Sequence, residues 1–321
     1  MDYQTVWAPF LPFKSVNFTQ KFLRALYEKN KVDEPLSYSY KNGYTFCYYI
    51  DHGRKFYQQA ESAPYEIKPV LLFYGAVQLI KAVLLSIDEK YPRNTEVLAH
   101  GLSTRKRKSQ NYEFSQDTVH IQKRGLFSYT AQTLFHLGDL EGLKFKMEDL
   151  MMRIPDMQQL FLQMRERITC RPITKQNDST YKTSQGILDD LHMTSQRFFQ
   201  FLDGDLVPVE RNPTTELYFK FANKRGFSSL FYIQKDLYGH YYLPSFRKGF
   251  FELPELLVHL ILLYNLSMIS RYETEWWSDL HLHHTSIDLP FIHRFIDLTP
   301  LKFPQMIAEH LSLNRENIIN K

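Results

Sequence analysis

Residues Lys68–Leu102 read KPVLLFYGAVQLIKAVLLSIDEKYPRNTEVLAHGL. Leu72, Ala76, Leu79, Val83 and Ile87 recur at spacings of three and four, and Val70, Phe73, Val77, Ile80 and Leu84 fill the adjacent stripe. That period predicts a helix, and its broad apolar surface predicts one buried among other helices. Pro69 suits the first turn, where its missing N–H costs nothing, and Tyr91-Pro92 marks the stop. Lys81 alone breaks the apolar run, so its ammonium must reach the bundle edge with its stem along apolar surface.

A second apolar run, Leu253 to Ile269, contains Glu255, His259 and Asn265. Its uncharged part is too short for a bilayer, so it predicts a second buried helix, packed against the first. The chain of 321 residues, 44% hydrophobic and 23% charged, has the composition of a globular protein able to bury a core. Its 25 Phe and 21 Tyr imply a core of large rings. A net charge of +4 permits a local basic patch without marking a nucleic-acid binder. Two distant cysteines, Cys47 and Cys170, give no disulfide framework, and the start lacks a secretory leader. The expectation is a reduced, cytoplasmic protein with no membrane partner.

Elsewhere the pattern predicts a helix from Asn17, as cap, to Lys29, and a strand over Tyr44–Ile50 after Asn42-Gly43. A short hairpin is predicted over Thr118–Tyr129, turning at Lys123-Arg124-Gly125. Helices are expected over Asp139–Met152 and Asp156–Ile168, hinged at Pro155, with an exposed loop over Arg171–Gly186. Leu217–Phe221 and Leu230–Ile233 read as paired strands around Asn223–Gly226, and helices return at Pro254–Tyr272 and Pro304–Leu313. The sum is a mostly α-helical α+β protein. Residues 1–170 form a helical region with the Lys81-Ala82 helix and a short hairpin. Residues 171–321 form a small β insertion followed by C-terminal core helices, and one continuous domain stays open.

Several constellations carry possible chemistry. His100-Gly101-Leu102 reads first as helix termination, with Gly101 as left-handed cap and Leu102 packing back. The functional reading points His100 into a polar site. Arg93 and His100, nearly two helical turns apart, would share one face. An arginine holds a phosphate and a histidine moves a proton, the two needs of metal-free RNA cleavage. Arg105, Lys106, Arg107 and Lys108, near Lys123 and Arg124, read as a solvated loop or a phosphate contact, with Tyr112 and Phe114 near for stacking. His281, His283 and His284, beside Asp279 and His293, match no helical metal-ligand pair, so no metal is expected. His259 reads as a hydrogen-bonded core residue. Arg271 closes the second apolar helix, where the helix dipole favours it. Trp276 and Trp277 cannot both face one core, which makes them candidates for a binding surface. No GxGxxG, P-loop, GxSxG, HExxH or CxxC motif is present, and no cofactor is called for.

The run Ile67-Lys68-Pro69 through Phe73-Tyr74-Gly75, then Leu79-Ile80-Lys81-Ala82 and His100-Gly101-Leu102, resembles the YaaC-like proteins of Firmicutes. Leu256 to Trp277, with Met268-Ile269-Ser270-Arg271-Tyr272, and Phe303-Pro304 resemble the same family. More remotely, the Lys81-Ala82 helix leading to His100 is similar to the HEPN class of helical bundles. That resemblance implies a HEPN-like bundle and, in some members, RNA cleavage by an arginine and a histidine on a late core helix with four to six residues between them. Here Arg271 on the late helix meets no histidine before His281. The implied function is therefore a regulatory or interaction protein that binds a protein partner or a nucleotide. The alternative is a metal-independent ribonuclease using Arg93 or Arg271 with His100 on RNA.

Overall fold

Ser15, not Asn17, opens the first long helix: its hydroxyl accepts from the Phe18 amide at 3.3 Å. The protein is described by a computed structural model covering residues 3–104, 112–177, 179–210, 215–222, 230–284 and 286–319. It forms two units, Met1–Lys146 with His259–Lys321, and Met147–Val258. The division thus falls at 146/147 and 258/259, not at 170. The C-terminal helix returns to pack on helices from the N-terminal part of the chain.

The first unit begins with α1 (Tyr3–Trp7), α2 (Val16–Lys29), α3 (Pro35–Ser62) and α4 (Lys68–Ile87). The expected strand over Tyr44–Ile50 is part of α3 instead. Its core face is carried by Asn42, Phe46, Ile50, Gly53, Tyr57 and Ala60, a helical period built partly from small and polar residues. The β-forming tyrosines Tyr44 and Tyr48 point outward, 54% and 65% exposed. Two glycines let α3 and α4 approach closely. A Cβ on Gly75 would lie 2.5 Å from the Tyr57 ring, and one on Gly53 would lie 2.8 Å from Leu79 Cδ2.

Helix α4 is the one helix among the described residues long and apolar enough to cross a bilayer, but 67% of that window is buried inside the protein. The α4 helix is longer and more apolar than the α10 helix that contains most of the Leu253–Ile269 run. Beyond α4, Asp88 gathers the Arg93 guanidinium at 2.8 and 2.9 Å, the Tyr129 hydroxyl and the Lys90 amide.

Next come β1 (Leu102–Thr104), β2 (Thr118–Ile121), α5 (Leu126–Phe135) and β3 (Lys144–Lys146). The three strands form an antiparallel sheet in the order β1-β2-β3, with Leu102 opposite Ile121 and Val119 opposite Phe145. The expected hairpin over Thr118–Tyr129 supplies only one of these strands. Lys123-Arg124-Gly125 leads into α5, because Gly125 at φ 129° turns the chain beside Gly101. The expected helix over Asp139–Met152 is split into β3 and the short α6 (Met147–Met151).

The second unit continues with α7 (Gln158–Arg165), β4 (Cys170–Lys175), β5 (Tyr181–Ser184), α8 (Gly186–Leu191), α9 (Ser195–Phe201), β6 (Leu206–Pro208), β7 (Glu216–Phe221), β8 (Gln234–Lys235) and β9 (Tyr241–Pro244). The strands form an antiparallel sheet in the order β6-β7-β5-β4-β9-β8. Ile187, Leu188, Leu191 and Phe198 of the helices cover Ile173, Leu217, Phe219 and Leu243 of the strands. The expected loop over Arg171–Gly186 is therefore two strands. Two of their polar residues are ion-paired, Arg171 with Asp190 of α8 and Lys182 with Glu216 of β7. β7 pairs with β5 and β6, whereas Leu230–Ile233 is a turn buried at Tyr232 and Ile233. The expected turn at Asn223–Gly226 lies outside the described residues.

Helix α10 (Glu255–Tyr272) crosses the division, and α11 (Thr274–His283) and α12 (Leu289–Ile319) complete the first unit. The expected C-terminal helix from Pro304 is longer: α12 carries both Pro300 and Pro304 in its interior. The protein is mostly helical with two antiparallel sheets, a helical α+β fold.

Candidate functional site

The two apolar helices meet around one histidine. Phe73 of α4 and Tyr264 of α10 contact edge to face with ring centroids 5.8 Å apart. The His100 ring lies against both, 4.9 Å from Phe73 and 5.9 Å from Tyr264, with Tyr74 at 6.3 Å.

The backbone around His100 is held from three sides. The Ala99, His100 and Gly101 carbonyls accept from Leu126, Phe127 and Gln122 amides at 2.7, 3.1 and 2.9 Å. Gly101 takes φ 75°, and a Cβ there would press on Gly125, 3.2 Å away, so both conformation and space call for glycine. The glycine is thus a contact between segments and not the cap of α4, which ends at Ile87, ahead of His100. Glu96–Leu98 is a single 3₁₀ turn, so Arg93 and His100 do not share a helix face. Arg93 instead completes the Asp88 cluster.

The arginine that acts on His100 is Arg271, at the end of α10. Burial, then Arg271, then Lys81, push the His100 imidazole below its usual pKa, so three basic groups share one electrostatic neighbourhood. Arg271 donates to the Ser267 carbonyl at 2.8 Å and to Met268 Sδ at 3.3 Å, and lies over the Tyr272 ring, 5.2 Å from its centroid. Lys81 Nζ lies 5.8 Å from the Tyr49 ring centroid, and burial pushes its pKa down. Among the described residues neither cation forms an ion pair. Two cations that act electrostatically on a half-buried imidazole, with no carboxylate paired to either among the described residues, favour an anion there.

A family model described as YaaC-like Protein matches residues 11–311. The chain belongs to the YaaC-like family. No curated protein and no solved structure matches it. Lys81, His100 and Arg271 all lie within the matched residues.

The other candidates fall elsewhere. Arg105, Lys106, Arg107 and Lys108 lie outside the described residues. Trp277 faces the interior: it is 1% exposed and donates to the Glu66 carbonyl at 2.9 Å. Trp276 is half-buried against Tyr112, with centroids 4.7 Å apart. His281 and His283 are on α11 and His284 lies just beyond it. His281 Nδ1 bonds the Trp277 carbonyl at 2.8 Å, and His283 faces Asp279 at 3.8 Å. Among the described residues no three His, Cys, Asp or Glu side chains gather as a metal-ligand set. His259 is buried and contacts Thr299 Oγ1 at 3.3 Å through Nδ1. Lys81 is the site residue that sequence reasoning assigned only a packing role. Its signal was one charge in an otherwise apolar helix.

Proposed function

We propose that this protein is a cytoplasmic regulatory protein that binds a phosphate-bearing nucleotide at Lys81, His100 and Arg271. The reading is supported by Arg271 of α10 and Lys81 of α4, which after burial push the His100 pKa down and which form no ion pair among the described residues. A guanidinium presents several donors to a phosphate, and a lysine adds a point charge. Tyr272, 62% exposed beneath that guanidinium, offers a flat face for a base. A nucleotide is favoured over a protein partner because Trp277, which pointed to a protein interface, is internal.

The test is calorimetric titration of the full chain with ATP, GTP, pyrophosphate and adenosine. Nucleotides are expected to bind more tightly than pyrophosphate, and adenosine least. Arg271→Gln is expected to weaken nucleotide binding about tenfold or more, the worth of one charge-assisted hydrogen bond. Absence of binding by every phosphate-bearing ligand ends this reading.

A second reading has one specific support. A HEPN-like bundle would use an uncharged imidazole beside an arginine, and His100 with Arg271 offers that pair. His100 would move the proton of a 2′-hydroxyl and Arg271 would hold the scissile phosphate of RNA. Total RNA incubated with the protein in chelator, beside His100→Ala, separates the readings: cleavage lost in the variant supports a ribonuclease, and no cleavage by either rejects it.

A further inference from the structure

We propose that the outward face of α3 is a self-complementary surface on which two copies of this chain pair antiparallel about Tyr44 and Tyr48.

Helix α3 turns Asn42, Phe46, Ile50, Gly53, Tyr57 and Ala60 inward. With about 3.6 residues per turn, Ser37, Lys41, Tyr44, Tyr48, Asp51 and Lys55 form one stripe on the opposite face. All six are exposed. Their alternating spacing of four and three is the one that lets a helix lie along another for several turns. At the centre, the Tyr44 and Tyr48 rings lie 6.3 Å apart, and the exposed Tyr40 widens the aromatic surface beside them. Tyrosine joins a large apolar ring to a polar tip, which suits a surface that is wet in one state and covered in another.

The charges select both the partner and its direction. The stripe is symmetric about the midpoint between Tyr44 and Tyr48: Lys41 and Asp51 stand equally far from it, as do Ser37 and Lys55. A twofold axis there sets Tyr44 against Tyr48 of the second copy and Lys41 against Asp51 of the second copy, twice over. A parallel pairing would instead set Lys41 against Lys41 and Asp51 against Asp51, which like-charge repulsion disfavours. Both charges are available for the antiparallel pairing. Among the described residues Lys41 forms no ion pair. Asp51 meets Lys55 through Oδ2 at 2.7 Å, which leaves Oδ1 for a second cation. From Ser37 to Lys55 the stripe runs about 27 Å. A contact of one such helix face is at the small end of protein interfaces, so the pairing is reversible.

The test is sedimentation velocity of the full chain from low to high micromolar concentration. A reversible monomer–dimer equilibrium is expected. Lys41→Glu alone, or Asp51→Lys alone, is expected to weaken it about tenfold or more, because two like-charge pairs arise per dimer. Mixing the two variants is expected to restore dimers containing one copy of each, since every facing charge pair is then of opposite sign. That recovery requires both variants to be folded, so it separates a broken interface from a broken fold. Tyr48→Lys, at an exposed position, gives a second disruption that leaves the core untouched, with circular dichroism as the check. A chain that is monomeric at every concentration overturns the proposal. So does a dimer indifferent to all three substitutions, which pairs through another face. A mixture no more dimeric than either charge variant alone overturns it as well.

Discussion

Phe73 and Tyr264 meet edge to face, and His100 is wedged against both rings. One contact therefore joins α4 to α10 and seats the histidine of the candidate site. Packing and site share residues, so variants must separate loss of fold from loss of function.

Gly75→Ala tests the close approach of α3 and α4. In an isolated helix this change would stabilise by about 1 kcal/mol. Here the new Cβ would lie 2.5 Å from the Tyr57 ring. The expected outcome is a loss of about 1–3 kcal/mol in denaturant unfolding, the usual cost of overpacking. A more stable variant would show that the two helices are not held at that distance.

The Asp88 cluster predicts acid sensitivity. Burial pushes this carboxyl up, but Arg93, Tyr129 and the Lys90 amide outweigh it and hold the pKa below the ordinary value. The unfolded chain therefore binds this proton first as pH falls. The stabilisation is complete above the unfolded pKa of about 3.9 and is lost as pH drops through the folded value. Arg93→Met is expected to cost about 1–2 kcal/mol at neutral pH and to flatten the acid limb of the stability profile. An unchanged acid limb would contradict the assignment.

Tyr65 stacks on His293 at 3.8 Å and donates to Asp297 Oδ2 at 2.6 Å, while His281 lies 5.2 Å from His293. The Nε2 atoms of His281 and His293 are buried with no hydrogen-bond partner among the described residues. Burial, then His281, push the His293 pKa down, with His284 and Lys68 acting the same way and Asp297 opposing. The folded state prefers the neutral ring, so stability is full above about pH 6.5, the unfolded value, and declines as pH falls toward the folded one. His293→Gln is expected to reduce the loss of thermal stability between neutral and mildly acidic pH. An identical pH dependence in both proteins would remove His293 from the explanation.

Arg153 anchors the second unit from inside. It donates to the carbonyls of Phe251, Phe231 and Leu253, and burial pushes its pKa down to about 10 against the opposing Glu252 and Glu255. Arg153→Met leaves those carbonyls without their donor in the interior. The expected cost is about 3 kcal/mol or more by chemical denaturation, since each buried unsatisfied group costs about 1–3 kcal/mol. A change below about 1 kcal/mol would mean that water reaches these carbonyls.

The apolar helices were legible in sequence because their periodicity is carried by Leu, Ile and Val over many residues. Helix α3 was not, because Asn42 and Gly53 occupy its core face while tyrosines face outward. Strands β4 and β5 read as a loop because only Cys170, Ile173 and Thr183 are buried on them. His100 and Arg271 were both visible as candidates. Their pairing was not, since 171 positions separate them and only the packing of α10 brings Arg271 into range of His100. Spacing along the chain instead suggested Arg93, which the fold commits to Asp88.

Titration of the His100 ring by heteronuclear NMR, in the free protein and with saturating pyrophosphate, tests the anion seat most directly. The free imidazole is expected to titrate below about 6.5, depressed by burial, Arg271 and Lys81. Pyrophosphate is expected to raise that pKa by cancelling the two cations, and Arg271→Gln to raise it in the free protein. A His100 pKa unmoved by both the ligand and the substitution would contradict the site.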